Sequence, residues 1–156
     1  MADLFGDDVH TLGNSVFICV PGDPVGKGRP RITTRGGFAR TYTPEKTKEY
    51  EKCVRFEAEC SMRGQPLMTG PVELKLQIFM PIPASYSKKK ALACRMQTVV
   101  PTKKPDLDNI LKAVCDAFNG VVWVDDTQVV DCHVTKRFAD EPCVICIVTP
   151  LDLVSS

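Results

Sequence analysis

Residues 105–120 read Pro105-Asp106-Leu107-Asp108-Asn109-Ile110-Leu111-Lys112-Ala113-Val114-Cys115-Asp116-Ala117-Phe118-Asn119-Gly120, and the fold is decided here. Leu107, Ile110, Leu111, Val114, Ala117 and Phe118 recur at the spacing of one helical face, so a helix over Asp106–Phe118 has an apolar stripe to bury. Pro105 marks the passage from extended chain into that helix. Asn119-Gly120 supplies the C-cap.

Working outward, Val121–Val124, Gln128–Lys136 and Cys143–Thr149 read as strands, with Asp125-Asp126 in the turn between the first two. Upstream, Val72–Met80 alternates, placing Val72, Leu74, Leu76, Ile78 and Met80 on one face and Glu73, Lys75 and Gln77 on the other, as in a half-buried strand. Pro81 and Pro83 stop it, and Ser85–Met96 forms a short basic helix or an ordered loop. Thr43-Pro44-Glu45 opens a further helix, with Thr43 as N-cap and Pro44 in the first helical position, running to about Arg63 before Gly64. Val16–Val20 is a short strand ending at Pro21-Gly22, and the Gly-, Pro- and Arg-rich stretch that follows to Tyr42 is a long basic loop or hairpin. This order of elements predicts an α+β domain: a single mixed sheet with helices packed on one face. Residues 16–152 form that domain, and residues 1–15 are read as a mobile N-terminal tail.

A chain of 156 residues with 44% hydrophobic content can bury one real core without disulfide staples. It contains no run near the roughly 20 apolar residues of a membrane span, and its acidic N-terminus lacks the basic and apolar regions of a signal peptide. A cytoplasmic protein is expected. The eight cysteines are scattered through apolar runs and are read as reduced small hydrophobes. Cys143-Val144-Ile145-Cys146 lies in a strand, where residues three apart point to opposite faces and cannot share a metal.

The net charge of +1 conceals an uneven distribution. Lys27, Arg29, Arg31, Arg35, Arg40, Lys46 and Lys48 face Glu45 alone within residues 27–48, and Lys88, Lys89, Lys90, Arg95, Lys103 and Lys104 have no acidic neighbour within residues 88–104. Such blocks suit a phosphate backbone through counterion release, although a solvated basic face is as common for a lone charge run.

Asp106 and Asp108, one residue apart where extended chain meets helix, can turn their carboxylates the same way and share a hard divalent cation. An Asp in this position also serves as a plain helix cap. The helix face opposite the apolar stripe carries Asp108, Lys112 and Asp116 at successive steps of four. Lys112 can stabilise charge on a phosphate or orient an attacking water, or it can be an ordinary surface ion pair. Trp123-Val124-Asp125-Asp126 ends with two more acids, close enough in sequence for one to fold back beside the first pair. Carboxylates and a lysine with no surplus histidine describe an Mg²⁺ site for phosphodiester hydrolysis. His10 falls in the tail and His133 in a strand, so metal-activated water is the better nucleophile.

The run from Pro101 through Asp106, Asp108, Asn109, Lys112, Asp116, Gly120, Trp123, Asp125 and Asp126 to Gln128 resembles the signature of the RusA family of Holliday junction resolvases, particularly its phage and prophage branch. The likeness extends to Pro21–Arg31, Ser85–Lys90 and Val134–Arg137, hence to most of the chain beyond its first fifteen residues. The resemblance implies a homodimeric endodeoxyribonuclease of DNA recombination and repair, bacterial or phage-encoded, that nicks four-way junctions symmetrically with Mg²⁺, for which Mn²⁺ can substitute. It assigns metal binding to Asp106, Asp108 and Asp126 and catalysis to these with Lys112. Branched DNA is expected to meet Lys27, Arg29, Arg31, Lys88, Lys89, Lys90, Lys103, Lys104 and Lys136. Asp125 matches a frequent neighbouring acid. The chain departs from the best-known bacterial member in its longer N-terminus and in Lys103-Lys104-Pro105, where that protein has an arginine run; both bear on junction binding more than on chemistry.

Three other readings compete. Gly22–Gly28 is one residue short of a phosphate-binding P-loop and lacks its Ser or Thr. A nucleotidyltransferase would need a Gly-Ser element upstream of the acids, where Pro101–Pro105 offers none. A non-catalytic branched-DNA-binding module accounts for the basic blocks, but it has no reason to place acids where a polyanion must approach.

Overall fold

The computed structural model describes residues 14–34 and 36–152. Of the expected tail only Asn14 and Ser15 fall within it, and His10 and Arg35 lie outside the described residues.

The main sheet is built from β1 (Val16–Pro21) and three strands that follow later in the chain. Next come β2 (Arg31–Thr33) and β3 (Arg40–Tyr42), an antiparallel hairpin that stands apart as its own small sheet. The basic stretch is therefore a hairpin arm, with Ile32 and Phe38 left exposed on it.

Helix α1 (Glu45–Met62) starts one residue later than the sequence suggests: Pro44 is its N-cap and no side chain caps it, so Thr43 does not play that part. The helix ends where Arg63 (φ 48°) and Gly64 (φ 73°) turn left-handed, the conformation that glycine takes without steric cost. Tyr50, Val54, Ala58 and Met62, four apart, form its buried stripe.

β4 (Val72–Pro81), α2 (Lys88–Arg95), α3 (Leu107–Phe118), β5 (Val129–Ala139) and β6 (Cys143–Pro150) complete the fold. The strand order is β1-β6-β4-β5, with β4 and β5 parallel and the other neighbours antiparallel. A parallel pair requires a crossover, and here residues 82–128 supply it, carrying α2 and α3. The sheet is therefore mixed, as predicted.

Alternation assigns the faces. Val16, Ile18, Val20, Leu74, Leu76, Ile78, Val144, Cys146 and Val148 are buried beneath the helices in one core with Val54, Ile110, Val114, Phe118 and Trp123. Ile110, Val114 and Phe118 of α3 are wholly inaccessible; each contributes about 1.5–3 kcal/mol relative to exposure. Cys143 and Cys146 fall on opposite faces of β6, as their spacing requires. Val121–Val124 is a correction: it forms turns and isolated bridges rather than a strand, because Val121, Val122 and Trp123 are all buried and no neighbouring strand is available to extend a ladder.

Candidate active site

The start of α3 carries the first two acids. Asp106 occupies the N-cap position, yet its carboxylate makes no capping hydrogen bond; only Asn109 Nδ2 approaches it, at 3.5 Å. The simple capping role is thus unused. Asp108, in the first helical turn, is exposed and has no hydrogen bond or ion pair among the described residues. The partial positive charge of a helix N-terminus favours acids here, so placement of both stabilises the helix while leaving their oxygens available.

Two clamps fix this turn. The Lys27 N–H donates to the Asn109 carbonyl at 2.9 Å, and the loop approaches so closely that a Cβ on Gly26 would lie 3.1 Å from the Cβ atoms of Asn109 and Pro105. From the other side, Lys136 on β5 donates through Nζ to the carbonyls of Lys103 (3.0 Å) and Pro105 (3.1 Å). Lys136, expected on DNA, therefore tethers the segment leading into Asp106.

The third acid arrives on a turn, Asp126–Gln128, that packs against α3. Trp123 anchors it: the indole is fully buried, stacks edge-on against Phe118 at 5.4 Å, and donates to Asn119 Oδ1 at 2.7 Å. Asp125 then caps the turn, accepting from Thr127 Oγ1 at 2.7 Å and from the Thr127 N–H. Gln128 completes a reciprocal cap by accepting from the N–H groups of Val124 and Asp125, and its amide donates to the carbonyls of Met68 and Gly70. These parts for Asn119 and Gln128 were not read from the sequence, although Asp125-x-x-Gln128 is the spacing of a capping box. With Asp125 and Gln128 holding the turn, the Asp126 carboxylate has no hydrogen-bond or ion-pair partner among the described residues.

Along α3, Lys112 is exposed and makes no ion pair among the described residues. Its neighbour Asp116 is already engaged, because Lys27 Nζ bridges Asp116 Oδ2 and Glu51 Oε1 at 2.7 Å each and so straps α3 to α1. Burial pulls the Lys27 pKa down, but the hydrogen bonds to Asp116 and Glu51 outweigh it and the net shift is upward. Lys27, expected among the cations that meet DNA, is thus a strut between helices with its charge compensated by Asp116 and Glu51. Cys115 sits beneath this face; burial first, then Cys132, Asp126 and Asp116, push its thiol up to about 12.

Asp126 thus lies within electrostatic reach of Cys115, which is seven residues or about 10 Å along the helix from Asp108. Among the described residues no three His, Cys, Asp or Glu side chains stand together as a ready metal cage, so the expected convergence of all three acids is not present in this arrangement. The donor set still suits Mg²⁺. It offers hard carboxylate oxygens free of strong internal partners, and Mg²⁺ is ordinarily held by one or two carboxylates, waters and substrate phosphate rather than by an all-protein cage. Arg29, Arg31, Lys88, Lys89, Lys90, Lys103 and Lys104 are exposed.

Acids without strong internal partners at the start of α3 and on the turn after it, with exposed Lys112 one helical turn beyond Asp108 and exposed Lys103 and Lys104 just before Asp106, have the chemistry to meet a phosphate-bearing ligand. A family model described as Endodeoxyribonuclease RusA matches residues 21–149, and the chain belongs to that family of endodeoxyribonucleases. It is also 39% identical over 125 residues, 79% of this chain and 87% of the other, to a Bacillus subtilis (strain 168) protein named "Uncharacterized protein YqaN". Among the described residues no helix is long and apolar enough to cross a membrane.

Proposed function

We propose that this protein resolves four-way DNA junctions in recombination and repair, as a homodimer that hydrolyses one phosphodiester in each of two symmetry-related strands with Mg²⁺. The observation that carries the reading is Asp106, an N-cap aspartate whose carboxylate is withheld from capping and meets only Asn109 Nδ2 at 3.5 Å, two residues before an Asp108 with no hydrogen bond or ion pair among the described residues.

Asp106, Asp108 and Asp126 would hold Mg²⁺, which when bound supplies Lewis acidity toward a phosphate oxygen and a water. Lys112 can meet the negative charge that builds on the phosphate as water adds to phosphorus and the ester oxygen leaves. The Lys27 strut and the Lys136 tether fix the start of α3, where Asp106 and Asp108 stand, and gathering Asp126 to the same ion requires the turn at Asp126–Gln128 to move toward them. Arg29, Arg31, Lys88, Lys89, Lys90, Lys103 and Lys104 supply phosphate contacts, which fix the register of the arms without reading sequence.

A homodimer is supported by the symmetry of the substrate and by the sheet face opposite the helices. Phe17 is 58% exposed there, in register with Ile147 on the adjacent strand, and Ile145 shares the face.

The test is incubation with a synthetic four-way junction and with linear duplex, with and without Mg²⁺. Paired, Mg²⁺-dependent nicks in the junction are expected. A retarded junction with no cut strand at any Mg²⁺ or Mn²⁺ concentration would instead favour the branched-DNA-binding module.

A further inference from the structure

Beside the acidic site lies a cavity of about 390 Å³ whose walls include Met80, Pro81, Tyr86, Val100 and Phe138. We propose that it receives one unstacked nucleobase of the bound strand, next to the phosphate that is cut. This rests on the nuclease reading above and adds a base-recognition site to it.

The chemistry of the walls selects the occupant. The interior is apolar and partly aromatic, with Tyr86 edge-on to Phe138 at 6.2 Å. The rim is cationic: Lys90, Lys103 and Lys104 also line the cavity, and Lys90 Nζ stands 3.8 Å from the centre of the Tyr86 ring. A flat aromatic ring joined through a sugar to a phosphate matches that combination, since proteins that bind single strands combine base–aromatic stacking with cation–phosphate contacts. An apolar peptide would gain nothing from the lysines. Residues 85–104 contain no acid to offset them, and the nearby Arg95 is neutralised by Asp140 at 2.9 Å.

Location gives the consequence. The wall segment from Val99 to Lys104 runs directly into Asp106, at most about 7 Å beyond Lys104. Lys136 fixes the end of that wall through the Lys103 and Pro105 carbonyls. A base seated here therefore belongs to a nucleotide adjoining the scissile phosphate, where phosphate contacts alone carry no sequence preference.

The experiment titrates the full-length protein, in EDTA so that no strand is cut, against four-way junctions that each lack one base near the branch point. The wild-type protein is expected to lose about tenfold in affinity, or about 1.4 kcal/mol, at one symmetry-related position, as loss of one stacked base predicts. Tyr86→Ala, which removes an aromatic wall, and Val100→Asp, which puts an anion at the cavity, should both abolish that position dependence. A uniform response across positions, or a positional loss that persists in both variants, overturns the base site, and normal junction binding alongside it leaves the nuclease reading intact. Failure of the wild-type protein to bind any junction removes both.

Discussion

Asp125 and Asp126 are adjacent, carry the same functional group and have different work. Asp125 spends its carboxylate on Thr127 and holds the turn; Asp126 spends its own on nothing within the described chain. Asp125→Ala should therefore cost about 1 kcal/mol, the usual worth of a cap, read as a lowered urea midpoint at unchanged slope. Asp126→Asn should leave that midpoint in place and reduce junction cleavage at least about 100-fold, the upper end of what loss of a supporting contact costs a metal site. Asp108→Asn should likewise bind junctions on a gel and fail to cut them. If Asp126→Asn cuts efficiently in Mg²⁺, that residue is not part of the site.

At the scale of elements, α2 begins against its own electrostatics. Lys88, Lys89 and Lys90 fill its first turn with no acid, although a helix N-terminus disfavours cations. Ser87, accepting from the Lys90 N–H at 3.2 Å, and the Tyr86 ring facing Lys90 Nζ offset the conflict locally. Replacing the three lysines with alanine should leave thermal stability unchanged or raised. The logarithmic salt dependence of junction binding should become shallower by about 0.9 for each lysine that meets a phosphate; an unchanged slope would remove α2 from the interface. The α1–α3 strap behaves in the opposite sense. Lys27→Met leaves Glu51 and Asp116 without their partner and should destabilise by about 1–3 kcal/mol. Because the Lys27 pKa is raised on folding, the strap's contribution is complete below the ordinary lysine value of 10.5 and is lost as pH climbs through the higher folded value. The difference in urea midpoint between wild type and Lys27→Met should thus be flat from pH 7 to 9 and shrink only in stronger alkali.

For the whole molecule, all helices of the described chain that cover the sheet do so on one side, and the other side keeps Phe17 in the open. On the proposed homodimer, Phe17→Asp should leave the monomer folded, because this side chain contributes little to the core, and should shift sedimentation from dimer to monomer. Coordinated cleavage of the second strand would fall with it. Sedimentation of the wild-type protein as a monomer would overturn the proposed homodimer.

The periodicities of residues 72–80 and 107–118 determined a strand and a helix, because an apolar stripe every two or every 3.6 residues has one way to reach a core. The spacing of Asp106, Asp108 and Lys112 placed these side chains at the start and on one face of that helix, where the structure has them exposed, whereas the expected approach of Asp126 to the first pair is absent from the folded arrangement. What the chain could not settle were contacts across long separations. Lys27 reads as one more cation in a basic block until Glu51, 24 residues on, and Asp116, 89 residues on, are brought to it. Nothing in the chain alone tells that the Lys136 ammonium meets two carbonyls more than thirty residues earlier. The run 121–124 has strand composition but no strand beside it, and burial of Trp123 turned it into an anchor. Local pattern records what each segment needs to bury; which charge is left free for chemistry depends on which partners the packed sheet and helices bring within 3 Å, and only the tertiary structure decides that.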